Sequence, residues 1–319
     1  MTTPRISSRP LRPGDLEAMA ELLGRCLPTD PVSPRLLRDR VLLEPNHRPG
    51  GLQLAESGDG TLLGFLYATC AEGGIPAQPE QGYLTVGAVD PALPDAGDLA
   101  GRLVDGALEH LRERGARQVT IGGYPQGYFW PGVDRTAWPQ MHELLLAHGF
   151  TAQGESVAMR ISLDGWQIPE QDRELRAQQE AAGYRLSLAS ADDMPETIAF
   201  AATRLAPDWA TILRAAAPEQ DDGRHVLIIR APDGHVVGVS TYGSYRDSIE
   251  RFGPYGVDEE QRGRGLGRTL LNATLRAQQA EGAHTSWFLW TGEHSPAGIL
   301  YKKVGFEVYR RFTTMHRAL

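Results

Sequence analysis

Residues 258–271 read DEEQRGRGLGRTLL, three glycines and three arginines crowded together in a chain whose formal net charge is −8. Glycines let phosphate oxygens reach backbone N–H groups with no Cβ in the way. Unpaired N–H groups at a helix start attract anions, and the helix dipole adds to the attraction. An arginine at the entry can grip a phosphate as a fork. Arg262, Gly263, Arg264, Gly265, Leu266 and Gly267 are therefore a candidate diphosphate site. They open a helix whose Leu266, Leu270, Ala273 and Ala277 share one face. Two other glycine loops are excluded. The dinucleotide fingerprint would need glycine at Arg268, and a P-loop would need a lysine that GRT at 267–269 lacks.

A second stretch, LYKKVGF at 300–306, closes a later helical pattern. The pair of stretches resembles the GNAT acetyltransferase superfamily, whose signatures are [QR]-x-x-G-x-[GA], filled by Arg262, Gly265 and Gly267, and L-Y-x-x-x-G-F. The resemblance covers 184–319 closely and 6–163 more loosely. It implies an N-acetyltransferase that binds acetyl-CoA and passes the acetyl group directly to a primary amine, with no covalent enzyme intermediate. By resemblance Tyr301 is the general acid that protonates the departing sulfur; its alternative is a packing residue. A tyrosine's ordinary pKa of about 10 keeps it protonated at neutral pH. SIERFGPYGV at 248–257 is the strand expected to splay from its neighbour, with Val257 offering backbone to the thioester and pantetheine. Glu250 is the one carboxylate of that strand, a base only if a bulge turns it to the right face, and otherwise an exposed charge. His294 takes the place of an asparagine common in relatives. It is read as a coenzyme contact, as a base, or as plain helix surface.

The elements that would position these residues occur twice. RPGDLEAMAELL (12–23) and SADDMPETIAFA (190–201) each place acids before a helical apolar pattern. Hairpins follow around Asp59-Gly60 and Asp233-Gly234. Then come GAVD (87–90) and YGVD (255–258), helices ending at Gly115 and Gly282, the strands QVTIGG and TSWFLW, and helices closing on Gly-Phe at 149–150 and 305–306. The expected class is α+β: two tandem GNAT-like domains, each a mixed, mostly antiparallel sheet flanked by helices, with two central strands splayed into a cofactor cleft. The expected divisions are 1–166, a polar helix-prone linker at 167–183, and 184–319.

The first half lacks the chemistry of the second. Aligned on Gly115 and Gly282, Asp95, Asp98 and Ala100 fall where Arg262, Gly265 and Gly267 stand, so carboxylates would face a diphosphate. Leu146 or Leu145 takes the tyrosine's place, and one acetyl-CoA site per chain is expected. The aromatic loop GGYPQGYFWPGVDRTAW (122–138) is read as a pocket wall or as a loop packed between the domains. HELLLAH (142–148) lacks the second histidine of H-E-x-x-H, so no metal is implied.

Bulk numbers set the remaining bounds. At 319 residues, 41% hydrophobic and 23% charged, the chain suits two globular domains. An acidic balance argues against nucleic acid as partner. No apolar run is long enough for a membrane, and the opening Met1–Arg5 lacks the core of a signal peptide, so a cytoplasmic protein acting on a small molecule is expected. Cys26 and Cys70 make no disulfide framework. The acceptor's identity and the oligomeric state, monomer or homodimer, are left open. The other class of function is a sensor or scaffold that binds acyl-CoA without turnover, against which Tyr301 argues.

Overall fold

The computed structural model describes residues 5–7, 9–72, 78–216, 225–244 and 248–319, so Met1–Pro4 lie outside the described residues. Two compact units emerge: Met1–Ser156 with Arg311–Leu319, and Val157–Arg310.

The first unit runs β1 (Arg5–Ser7), α1 (Asp15–Cys26), α2 (Pro34–Leu37), β2 (Leu52–Glu56), β3 (Leu62–Ala71), β4 (Gln78–Val89), α3 (Ala96–Glu113), β5 (Gln118–Ile121), α4 (Pro139–Ala147) and the first half of β6 (Thr151–Ser162). Its sheet has the order β1-β2-β3-β4-β5, and only β4 and β5 pair in parallel, through Gln81–Leu84 and Gln118–Ile121. Beyond β5 lies the chain's own C-terminus: Met315–Ala318 pair antiparallel with Gln118–Ile121.

The second unit runs α5 (Glu170–Ala181), β7 (Arg185–Leu188), α6 (Met194–Phe200), α7 (Trp209–Ala216), β8 (Val226–Arg230), β9 (Val236–Tyr242), β10 (Phe252–Val257), α8 (Leu266–Ala280), β11 (Thr285–Thr291), α9 (Pro296–Val304) and the start of β12 (Glu307–Ala318). Strands β7 to β10 form an antiparallel meander. Strand β11 meets β10 through one parallel bridge, Arg251 to Trp287. On its other side β11 pairs antiparallel with residues 157–162, the far half of β6. The units thus divide inside β6 and β12 and not at 166 and 184, because each unit's sheet is completed by a strand from the opposite half of the sequence.

The internal repeat is visible as matched contacts. Gly64 pairs with Val89 in the first unit, and a Cβ on Gly64 would meet Val89 and Leu103. Gly238 pairs with Val257 in the second, and a Cβ there would meet Val257 and Leu270. Both Asp-Gly turns place glycine at positive φ, 87° for Gly60 and 91° for Gly234, as a tight hairpin requires.

The loop at 122–138 does not form an open pocket wall. Tyr124, Phe129 and Val133 are buried, and Phe129 joins the same apolar cluster as Val86 and Ala88 of β4. Val133 bridges Thr313, and the Trp138 ring lies 6.2 Å from that of Phe312. The loop packs within the first unit, over the part of β4 that has left β5.

Candidate active site

The phosphate-type loop lies between β10 and α8. Gly263 and Gly265 hold φ of 80° and 75°, the left-handed region that favours glycine, and Gly265 is the residue from which α8 starts. Among the described residues, none accepts a hydrogen bond from the backbone N–H groups of residues 263–268. The cradle is tight: a Cβ on Gly265 would lie 2.7 Å from Leu175, and one on Gly267 would lie 2.7 Å from the Tyr255 hydroxyl. Arg264 is exposed, with no side-chain partner among the described residues. Arg262 is exposed and pairs with Glu259. Open N–H groups, glycine surfaces and exposed guanidinium groups suit a diphosphate, the part of acetyl-CoA such a loop would hold.

Helix α5, expected as a linker, is the floor of this loop. Gln179 donates to the Arg264 carbonyl at 2.8 Å, and Leu175 lies under Gly265. Asp172 is buried, and its Oδ2 accepts from Arg268 at 2.9 Å and from Asn272 at 2.8 Å, so one carboxylate oxygen ties α5 to two residues of α8. Arg268, which excluded a dinucleotide fingerprint, has this structural use.

Strand β10 leaves β11 just past their bridge. The Trp287 N–H donates to the Glu250 carbonyl at 3.0 Å, and among the described residues the Arg251 to Trp287 bridge is the last pairing between the two strands. A bulge sits where one was expected: the four residues from Phe252 to Tyr255 face three, Tyr242 to Ser240, on β9. It does not turn Glu250 toward the opening. The Glu250 carboxylate accepts from the backbone N–H groups of His284 and Thr285, both at 3.2 Å, at the closed end of the V. The expected base is thus engaged elsewhere, in holding the first turn of β11. Val257 is the last residue of β10. The next N–H, of Asp258, donates to Val237 of β9, so that of Val257 points to the unpaired side of the strand.

Tyr301 is buried among aromatic rings, with Phe288 at 4.6 Å, Phe306 at 5.5 Å, Tyr255 at 5.8 Å and Phe252 at 5.9 Å between centroids. No described residue bonds its hydroxyl, and burial pushes its pKa well above the ordinary tyrosine value. It therefore stays protonated across working pH. Tyr255, between Tyr301 and Gly267, is shifted the same way by burial. Tyr255 belongs to neither sequence signature, although its place two residues before Val257 puts it on the same face. His294 is exposed just before Ser295, whose hydroxyl caps α9 by accepting from Gly298 at 3.1 Å. Among the described residues no side chain hydrogen-bonds or pairs with it.

In the first unit the corresponding places are filled or blank. Leu145 is the counterpart of Tyr301, since Phe150 N–H bonds its carbonyl at 3.0 Å just as Phe306 N–H bonds that of Tyr301 at 3.0 Å. Helix α3 starts from Asp95 at φ −110°, with Asp98 in its first turn and no left-handed glycine.

Residues 222–308 match the family described as acetyltransferase (GNAT) domain. A mycothiol acetyltransferase of Clavibacter michiganensis subsp. michiganensis is 27% identical over 301 residues, covering 92% of this chain and 89% of its own. A glucosamine N-acetyltransferase region in a fungal multi-domain GH3 β-N-acetylglucosaminidase superposes with a TM-score of 0.81 at 18% identity, over 99% of this chain and 38% of that longer one. A tandem GNAT protein from the clavulanic acid biosynthesis pathway gives 0.67 at 16% identity, over 98% of both. Residues 222–308 are thus similar in sequence to the acetyltransferase (GNAT) domain, and the chain as a whole shares the fold of a tandem GNAT protein.

Proposed function

We propose that the second unit transfers the acetyl group of acetyl-CoA to a primary amine of a small molecule, and that it holds the chain's one working site. The carrying observation is a loop of unpartnered N–H groups at 263–268 that opens beside a parted strand pair, with a proton-bearing phenol in the same aromatic cluster as that strand. When bound, acetyl-CoA supplies the thioester whose acyl group moves. Arg262, Gly263, Arg264, Gly265, Leu266 and Gly267 hold its diphosphate. Val257 offers its N–H at the unpaired side of β10. Tyr301 keeps a proton at its hydroxyl for the departing sulfur, and His294 flanks the coenzyme arm from the start of α9. The relatives named mycothiol acetyltransferase support a small-molecule acceptor.

A calorimetric titration with acetyl-CoA tests the reading. One site per chain is expected, lost in Arg262→Glu and kept in Asp98→Gly; two sites would overturn it. Tyr301→Phe should retain that binding and slow thiol release with an amine by roughly 10²–10⁴-fold. Unchanged release would remove Tyr301 from its role.

A further inference from the structure

The aromatic rings packed around Tyr301 are those of Phe252, Tyr255, Phe288 and Phe306. Three are phenylalanines, which is all that packing requires. The fourth, Tyr255, adds a hydroxyl that no described residue bonds; burial alone shifts it. A hydroxyl held out of bulk water without a partner costs stability, so packing does not account for it. Its place is fixed at both ends. The ring lies 5.8 Å from that of Tyr301 and 5.4 Å from that of Phe252. At the far end, a Cβ on Gly267 would lie 2.7 Å from the hydroxyl oxygen, so the phenol ends against the first turn of α8. That turn carries open N–H groups of the loop at 263–268. The backbone of Tyr255 points to the same site. Asp258 N–H donates to Val237 of β9, and by alternation the N–H groups of Tyr255 and Val257 turn to the side that β11 has left. Part of the residue's surface stays accessible there.

We propose that Tyr255 is a further coenzyme-binding residue, whose hydroxyl at Gly267 donates a hydrogen bond to the diphosphate of acetyl-CoA. The inference deepens the acetyl-transfer reading above and rests on it. An anionic oxygen is the acceptor this phenol lacks, and a hydrogen bond to a charged acceptor is stronger than one to a neutral group. Burial keeps the phenol protonated, so it donates to the anion and does not repel it. The loop offers backbone N–H groups from the helix, and Tyr255 adds a donor from the sheet. The two together hold the diphosphate against both elements. Because the same ring packs on Tyr301, the seat of the diphosphate and the proton donor for sulfur are kept in one register by a single side chain. Gly267 then has two reasons to lack a Cβ: it leaves its N–H open to the anion, and it leaves room for the hydroxyl.

The test is a calorimetric titration of the full chain, natural and Tyr255→Phe, with two ligands. One is CoA; the other is adenosine 3′-phosphate 5′-diphosphate, which keeps the diphosphate and lacks the pantetheine arm. The substitution keeps the ring and deletes only the hydroxyl, so the free variant should melt no lower than the natural protein. Both ligands should bind the natural protein, and Tyr255→Phe should weaken both by about tenfold and by the same factor. CoA affinity within about twofold of the natural protein's overturns the proposal. A loss confined to CoA overturns it too, because the contact would then be with the arm, as does a nucleotide that fails to bind where CoA binds. A natural protein that binds neither ligand would overturn the acetyl-CoA reading itself, and this inference with it.

Discussion

Gly267 is decided by one contact. Its missing Cβ is the space that the Tyr255 hydroxyl reaches, and Tyr255 in turn packs on Tyr301. Gly267→Ala should therefore push Tyr255 into the aromatic cluster. We expect a loss of about 1–3 kcal/mol in stability, as for an overpacked core, and weaker acetyl-CoA binding. Urea melts and calorimetry on the same variant read both. Asp193 carries a pH-dependent share of stability. Hydrogen bonds from Ser190, and then from Arg230, hold its pKa down to about 2. A depressed carboxylate stabilises the fold above its unfolded pKa of about 4, and that share fades as pH falls toward 2. Asp193→Asn should cost about 1–2 kcal/mol at pH 7 and nearly nothing at pH 2, measured as the difference between denaturation midpoints of the two proteins.

At the scale of elements, α5 is a buttress for the phosphate loop. Removing the Gln179 amide frees the Arg264 carbonyl, and removing the Asp172 carboxylate leaves Arg268 and Asn272 without their shared acceptor. Gln179→Ala should weaken acetyl-CoA binding severalfold with little change in melting temperature. Asp172→Ala should destabilise the chain by about 3–5 kcal/mol, the cost of breaking a buried pair. What sequence reading could and could not see divides along this line. The loop at 262–267 and Tyr301 are local patterns, in which the chemistry and the backbone requirement sit within a few residues. The hairpins and the C-cap glycines are local too, and their positive φ values match. Helix α5 reads as a linker in sequence because its polar composition hides which two polar residues, Asp172 and Gln179, turn inward. Glu250 fell to the same limit, since its partners are backbone N–H groups 34 and 35 residues later. The long aromatic loop was visible as aromatic, but its docking on Thr313 depends on a pairing between distant segments.

For the whole molecule, the expected cut between domains is the wrong place to divide the chain. A fragment of residues 184–319 keeps the loop and Tyr301, yet loses residues 157–162, the partner of β11, and all of α5. We expect that fragment to be insoluble or unfolded by circular dichroism, and a fragment starting at 157 to be more soluble. Acetyl-CoA binding by a soluble 184–319 fragment would refute this. The same exchange of strands has a consequence in time. The first unit places Met315–Ala318 beside β5, so its sheet stays unfinished until residues 315–318 have been synthesised. At roughly 5–20 residues per second, the nascent first half waits about 8–30 s with one side of β5 unpaired. During that interval it is a natural client for chaperones, and the rate of synthesis, more than the sequence of either half, sets how long the exposure lasts.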